Sequence, residues 1–533
     1  MAWDAWGDPT AAARLTDAQL ALVHDVLQVS ADDVHAVERQ DVRLRPSTLT
    51  DDDHAELAAA VGAEHVGAAD DDRLLHAGGK STLDLLRRKS SAEQDAPDAV
   101  VAPGTEGEVA AVLAVCAERG IAVVPFGGGT SVVGGLDPIR DRFAAVISLD
   151  LGRFDALADL DEIDQVATLG AGLSGPEAER LLAARGYELG HYPQSFRYAT
   201  IGGFAATRSS GQDSAGYGRF DDMVRGLRVV TPRGVLDVGA DAPKTAAGPD
   251  LRQLILGSEG TFGVLTAVRV RVHPVPETKA YEAWSFPDFA TGAAAVRAVE
   301  QAGTGPTVLR LSDEVETALN LATVSDAGSS GADDKPQDGG CLAVTVFEGS
   351  SALVEARHAA TRELLTASGG TSLGAARAKQ WAEHRFDGPY LRDPLLANGA
   401  LVETFETATS WSKLAAVKQA VTETVQRGFA EAGSAASLVL CHISHVYDTG
   451  ASLYFTVVGA QRGDAIAQWR AIKAAVNDTL IEHDATITHH HAVGADHRDW
   501  LAAEIGDLGV EILRSVKATL DPAGILNPGK LIP

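Results

Sequence analysis

The sequence predicts an α+β fold in three parts. These are a mostly helical N-terminal extension over residues 1–97, a loop-rich domain over 98–275, and a C-terminal region of antiparallel strands and helices over 276–533. Three observations carry this reading. Residues 1–95 alternate helical stretches with acidic loops, among them 51–53 and 70–72. From residue 96 the chain turns to short apolar runs punctuated by glycine and proline. Beyond residue 275, helical patterns near 352–367 and 413–432 stand beside apolar strand patterns at 438–444 and 452–459.

Each element has a local reason. Thr105 followed by Glu108 is a capping-box signature and predicts a helix running to about residue 118. A β-branched strand, 121–126, follows directly, and 143–149 reads as another. A strand at 165–169 leads through Gly170 and Gly172 into a helix over 176–184. The strand at 226–231 ends in a Pro-Arg-Gly turn, and that at 264–272 is stopped by Pro274 and Pro276. The segment 325–340, SDAGSSGADDKPQDGG, is a polar, flexible loop. The turn-rich tail, 520–533, is expected to pack back on the body of the protein.

Composition bounds the function. The chain has 533 residues, enough for two or three domains, and 45% of them are hydrophobic. Asp and Glu outnumber Lys and Arg by 73 to 45, a net charge of −28. That argues against nucleic acid and anionic membrane as main partners. An anionic ligand must then be held by a local cluster of Arg, His and backbone N–H groups. The three cysteines form no C-x-x-C pair, so disulfides and thiolate metal sites are not expected. No secretory h-region and no run of 18 apolar residues is visible, and the expected compartment is the cytoplasm.

The chemistry begins at residues 123–136, VVPFGGGTSVVGGL. Gly127, Gly128, Gly129, Gly134 and Gly135 leave no Cβ against a ligand, and Thr130 and Ser131 add donors. Successive N–H groups in such a loop can form an anion nest. It is neither of two commoner phosphate motifs. A G-x-G-x-x-G starting at Gly127 would need glycine at Val132, and a strand pattern follows in place of a helix. The only G-K-S, 79–81, has Leu74 where a Walker motif needs glycine, and is read as a decoy. Two further loops, 199–218 (ATIGGFAATRSSGQDSAGYG) and 257–263 (GSEGTFG), share the Gly/Ser/Thr density. Three such loops suit a long ligand with a diphosphate and a flat ring.

In this order the three loops resemble the signatures of the vanillyl-alcohol-oxidase-type FAD-binding domain. The resemblance implies a two-subdomain FAD domain with a C-terminal substrate-binding cap. It implies that Pro125, Gly127, Gly128, Gly129, Thr130, Ser131, Gly134 and Gly135 cradle the FAD diphosphate. Thr200, Gly202, Gly203, Thr207, Ser209, Ser210, Gly211 and Tyr217 would line the flavin, with Glu259, Gly260, Thr261 and Val264 near the adenosine and ribitol. No Cys lies in these loops and His191 is the nearest His, so FAD is expected to be non-covalent.

The C-terminal region adds 390–393 (YLRD), 403–407 (ETFET), 447–451 (YDTGA) and 489–494 (HHHAVG). Together with WDAWG at 3–7 these resemble the alkyldihydroxyacetonephosphate synthases. The resemblance implies exchange of the acyl chain of acyl dihydroxyacetone phosphate for a fatty alcohol through a flavin N5 adduct. Tyr454 would transfer the proton, and His489, His490 and His491 would orient and polarise the substrate. Arg392 would meet flavin and the anionic group, with Arg310 a further contact for phosphate. Residues 486–491 alternate like a strand, which would put His489 and His491 on one face and His490 on the other. No carboxylate is expected to join them, and no metal is expected. The family's glycine after the triple His is Ala492 here. The rival is an FAD-dependent 2-hydroxy-acid dehydrogenase or oxidase, whose tail resembles ILNPGK. Its metal-binding patterns are replaced here by YDTGA and HHHAVG. The expected partners are a small lipid or hydroxy-acid substrate, peripheral membrane lipid, and a second copy forming a homodimer.

Overall fold

The computed structural model describes residues 1–34, 36–239, 242–325 and 340–533, so most of the polar 325–340 segment lies outside the described residues. The helix Glu106–Arg119 begins where the Thr105 hydroxyl accepts from the Glu108 N–H, and ends at Gly120, in the left-handed region at φ 65°. The buried strand Ile121–Phe126 follows and pairs in parallel with Ala145–Asp150. Ala99–Val101 pairs in parallel beyond it, and Val66–Gly67 closes that edge antiparallel.

Residues 51–67 belong physically to this layer. The helix Asp51–Val61 buries Leu57 and Val61 in the core that holds Val109, Val112 and Leu113. The acidic runs are therefore not loops. Asp51–Asp53 and Asp70–Asp72 form the first turns of the helices Asp51–Val61 and Asp70–Leu75, where carboxylates meet the positive end of the helix dipole.

An antiparallel five-stranded sheet stands beside it, in the order Gly234–Val238, Val224–Thr231, Val264–Arg271, Val166–Gly170, Leu157–Asp161. The tail does return to the body. Val123 donates its N–H to Ile525 at 2.8 Å, and Asn527 donates to Val123 at 2.7 Å, so the tail runs beside the strand that leads into the first glycine loop.

The C-terminal region is built on an antiparallel seven-stranded sheet. Its order is Thr371–Gly374, Thr278–Phe286, Cys341–Gly349, Val308–Ser312, Ser437–Tyr447, Gly450–Ala460, Ala400–Ser410. The helices Phe289–Gln301, Leu414–Glu431 and Ala465–Glu482 cover one face and bury Leu311, Phe405, Ile443, Leu453 and Phe455 against Val296, Val421 and Ile472. Strand alternation then turns Arg310, Ser312, Glu406, His442 and Tyr454 to the other face. Among the described residues no helix is long and apolar enough to cross a membrane.

Candidate active site

The three glycine-rich loops meet as closely packed backbone. A Cβ on Gly128 would lie 1.8 Å from the carbonyl oxygen of Tyr198, and one on Gly127 2.4 Å from the Thr200 hydroxyl. Only glycine permits that approach. Ser131 accepts from the Gly135 N–H at 3.1 Å, and Asn527 donates to the carbonyls of Gly135 and Glu259. Thr200 caps the short helix Ile201–Thr207, and Thr207 donates to the Gly203 carbonyl.

The cradle passes a test of fit for FAD. The backbone N–H groups of Gly128 through Gly134 have no acceptor among the described residues. The buried Thr261 hydroxyl also lacks a partner among the described residues. Unpartnered donors of this kind call for an acceptor, and a diphosphate supplies several.

Four of the expected cofactor residues stand differently from the rest. Glu259 has positive φ and gives its buried carboxylate to the N–H groups of Val493 and Gly494. Burial pushes it up to about 7. Val264 is wholly buried in the core of the parallel layer. The Tyr217 hydroxyl donates to Glu188 and Glu348, and its ring lies 4.7 Å from that of His273. Ser209 bonds His191, which is fully buried between Phe204 and Phe220.

Above the cradle lies a polar row set by strand register. Glu406, Tyr454 and His442 are direct cross-strand neighbours, and Ser312 follows beside His442. The Tyr454 ring stacks on His442 at 5.0 Å and lies 6.0 Å from His490 and 5.6 Å from His491. Burial pushes its phenol up to about 12, opposed by a hydrogen bond from Thr404. The phenol is protonated at neutral pH. His442 bonds Glu316 at 2.9 Å, which also holds Arg310 at 2.6 Å. Arg310 thus reaches the site only through Glu316 and His442.

The triple His is not a strand. Residues 486–491 form irregular backbone, and the expected two-faced display fails. The reason is Glu406, the carboxylate that the local sequence did not show. It accepts from the N–H groups of His489 at 2.7 Å, His490 at 3.2 Å and His491 at 3.0 Å, and from the Thr488 hydroxyl. These bonds replace strand pairing and splay the rings, those of His490 and His491 beside Tyr454 and that of His489 beside His445 and Tyr447. Burial opposes charge on Glu406, but His490, His491 and His489 hold it well below the usual carboxylate range.

Burial disfavours charge on His445, His489 and His491. Burial lowers His491 to about 3 and takes His489 and His445 well below their usual value. The turn beyond them docks on the first glycine loop, where Val133 accepts from the N–H groups of Ala495 and Asp496.

Sequence reasoning missed Glu406, His442, His445 and Tyr447 as site residues. His445 bonds Ser214 at 2.8 Å and Ser210 at 3.2 Å, and Tyr447 bonds His489 at 2.6 Å. Their signal was available: His442 and His445 interrupt an apolar strand, and ETFET places Glu406 out of step with Phe405. No metal was expected, yet nitrogens of His445, His489 and His490 lie within 4.8 Å of one another. They are engaged in hydrogen bonds with each other and with Ser214 and Tyr447.

Arg392 sits on the helix Pro389–Ala397. It donates to the Lys80 carbonyl at 2.6 Å, and its Nη2 is buried with no partner among the described residues. The G-K-S read as a decoy is no phosphate loop, but it lies beside one. The Lys80 N–H donates to Ser131 at 2.6 Å, and Ser81 caps the helix Thr82–Ser90.

Comparison with known proteins agrees with this geometry. Residues 97–239 match the FAD binding domain family, and residues 275–531 the C-terminal domain of FAD linked oxidases. The chain is 33% identical to an alkyldihydroxyacetonephosphate synthase of Dictyostelium discoideum, over 86% of this chain and 77% of that protein. It is 31% identical to the synthase of Trypanosoma brucei brucei, over 100% of this chain and 92% of that one. A solved alkyldihydroxyacetonephosphate synthase superposes with a TM-score of 0.83 at 28% identity, covering 99% of this chain and 98% of that chain. p-Cresol methylhydroxylase shares the fold, with a TM-score of 0.66 at 15% identity over 91% of this chain and 98% of that one. The chain belongs to the alkyldihydroxyacetonephosphate synthase family of FAD-linked flavoproteins.

Proposed function

We propose that this protein exchanges the acyl chain of acyl dihydroxyacetone phosphate for a fatty alcohol. The observation that carries the reading is the Tyr454 phenol, flanked in register by Glu406 and His442 and ringed by His490 and His491. The bond from C1 to the carboxylate oxygen breaks, and its electron pair leaves with the fatty acid. A bond from C1 to the alcohol oxygen forms, and the alcohol loses a proton. No electrons are gained or lost overall. The FAD, when bound, supplies the electrophilic ring on which this substitution depends.

The chain's own residues handle the proton and the charge. Tyr454 passes a proton between the reacting atoms and the neighbouring imidazoles of His490 and His491, the second of which burial keeps neutral. A neutral imidazole can accept where an imidazolium cannot. Glu406 fixes the rings by holding their backbone, and Arg392 offers its unpartnered Nη2 to the substrate's phosphate. Residues Gly128–Gly134 hold the FAD diphosphate through their free N–H groups.

The same reading expects a cytoplasmic homodimer with peripheral lipid contact. Ile505, Leu508 and Ile512, left exposed along the helix Leu501–Leu520, support an apolar contact of that kind. The test supplies holoenzyme with acyl dihydroxyacetone phosphate and labelled hexadecanol. The reading expects label in the ether product and one fatty acid released for each. Bleaching by D-lactate or D-2-hydroxyglutarate, without exchange, would establish the dehydrogenase instead.

A further inference from the structure

The N-terminal segment and the Lys80 side chain border Arg392. Residues 2–7 close on themselves through the Ala2 N–H and the Gly7 carbonyl at 2.7 Å. Gly7, at φ 69°, presses against the Tyr390 hydroxyl, where a Cβ would sit 2.4 Å away. The segment is anchored on both sides of the site. Trp6 donates its N–H to Asp393 at 2.6 Å, and Asp8 donates to the Tyr198 hydroxyl at 2.9 Å. It forms a strap from the cofactor loops to the helix that carries Arg392.

Under the strap lies a group of buried cations. Lys80 and Arg88 are each only 4% exposed. The Lys80 ammonium donates to the carbonyls of Ala2 and Trp3, and Arg88 donates to Trp3 at 2.6 Å. An ammonium has three donors, so one on Lys80 is left over. The nearby acids are engaged elsewhere: Asp84 caps its own helix, and Asp393 holds Trp6 and Arg392. Burial lowers Lys80 to about 7, and Arg88 and Arg392 press the same way against Asp84 and Asp393. The third N–H of Lys80 and the unpartnered Nη2 of Arg392 make a receptor for a compact dianion.

We infer that Lys80 and Arg392 together bind the substrate's phosphate, with the strap over residues 2–8 forming the wall that holds Lys80 in place. This rests on the exchange reading for its substrate, but the pocket's choice of a phosphate monoester is a property of these residues alone. Arg392 reaches the phosphate through Nη2 and Lys80 through its third N–H. The fatty chain takes no part, so the pocket sets specificity for the head group only.

The test compares holoenzyme with Lys80→Met and Lys80→Arg, using glycerol 3-phosphate as the binding probe in calorimetry and acyl dihydroxyacetone phosphate in the exchange assay. Lys80→Met is expected to weaken glycerol 3-phosphate, and to raise the KM for acyl dihydroxyacetone phosphate, by about tenfold or more, the loss of one charge-assisted hydrogen bond. FAD content and the KM for fatty alcohol stay unchanged, and Lys80→Arg recovers much of the affinity. Should Lys80→Met fail to fold with FAD, removal of residues 2–7 is expected to weaken glycerol 3-phosphate in the same way. Equal affinity in the wild type and in the variant that folds would overturn the inference. So would a wild type that does not bind glycerol 3-phosphate. If the wild type binds the probe but catalyses no exchange, the exchange reading fails and the pocket stands.

Discussion

The cofactor cradle and the polar row above it are two solutions to positioning. The cradle is built from absence: Gly127 and Gly128 let Tyr198 and Thr200 approach the first loop, and free backbone donors face the ligand space. The polar row is built from presence. Glu406, a single buried carboxylate, gathers the N–H groups of His489, His490 and His491, with the rings of His490 and His491 beside Tyr454. The first is broken by adding atoms and the second by removing a charge. Cofactor binding and chemistry should therefore fail separately.

The largest effect is expected at Gly128. Its alanine variant places a methyl group 1.8 Å from the Tyr198 carbonyl, so the loop must move, and purified protein should lose its yellow absorbance and its activity together. Tyr454→Phe should do the opposite, with FAD content unchanged while exchange falls by about a thousandfold, in the range of a lost proton-transfer group. Comparable exchange in that variant would remove Tyr454 from the chemistry.

Glu406→Gln tests the staple. Loss of a buried charge with several partners should cost about 3 kcal/mol of stability and reduce exchange more than FAD content. It also changes the response to acid. Glu406 ionises well below the usual range when folded, so its contribution is complete above the unfolded carboxylate value and is lost as pH falls through the folded one. His445, His489 and His491, held neutral by burial, act with the same sign once pH drops below their ordinary value. Thermal melts of the wild type should drop steeply on acidification, and those of Glu406→Gln less so. A parallel pair of curves would contradict the staple.

The smallest effect is expected at Ala492. It holds φ 76°, a conformation that costs a residue with a Cβ about 1 kcal/mol. Ala492→Gly should leave exchange intact and raise or maintain stability by up to about 1 kcal/mol, read from denaturant midpoints. Marked destabilisation would show that the turn needs the methyl group.

The same comparison explains what could be read in advance. Strand Ile121–Phe126 and its glycine loop were legible because the signal is local: β-branched residues, then glycines, in unbroken sequence. The polar row was legible only in part. Tyr454 and the triple His stand out as residue types, but Glu406 joins them from a strand far away in sequence, and His442 only through sheet register. The alternation at 486–491 misled because period-two patterning says nothing about which acceptor the backbone will find. Acidic residues at 51–53 looked like a loop because helix starts and solvated turns share that composition.

The central claim is an exchange without net electron transfer, and anaerobic turnover tests it most directly. Holoenzyme, acyl dihydroxyacetone phosphate and fatty alcohol are mixed without oxygen or any other electron acceptor, and ether product is counted per flavin. The account expects product to accumulate through many turnovers while the flavin ends oxidised. Product that stops at about one per flavin, with the yellow absorbance bleached, would contradict it.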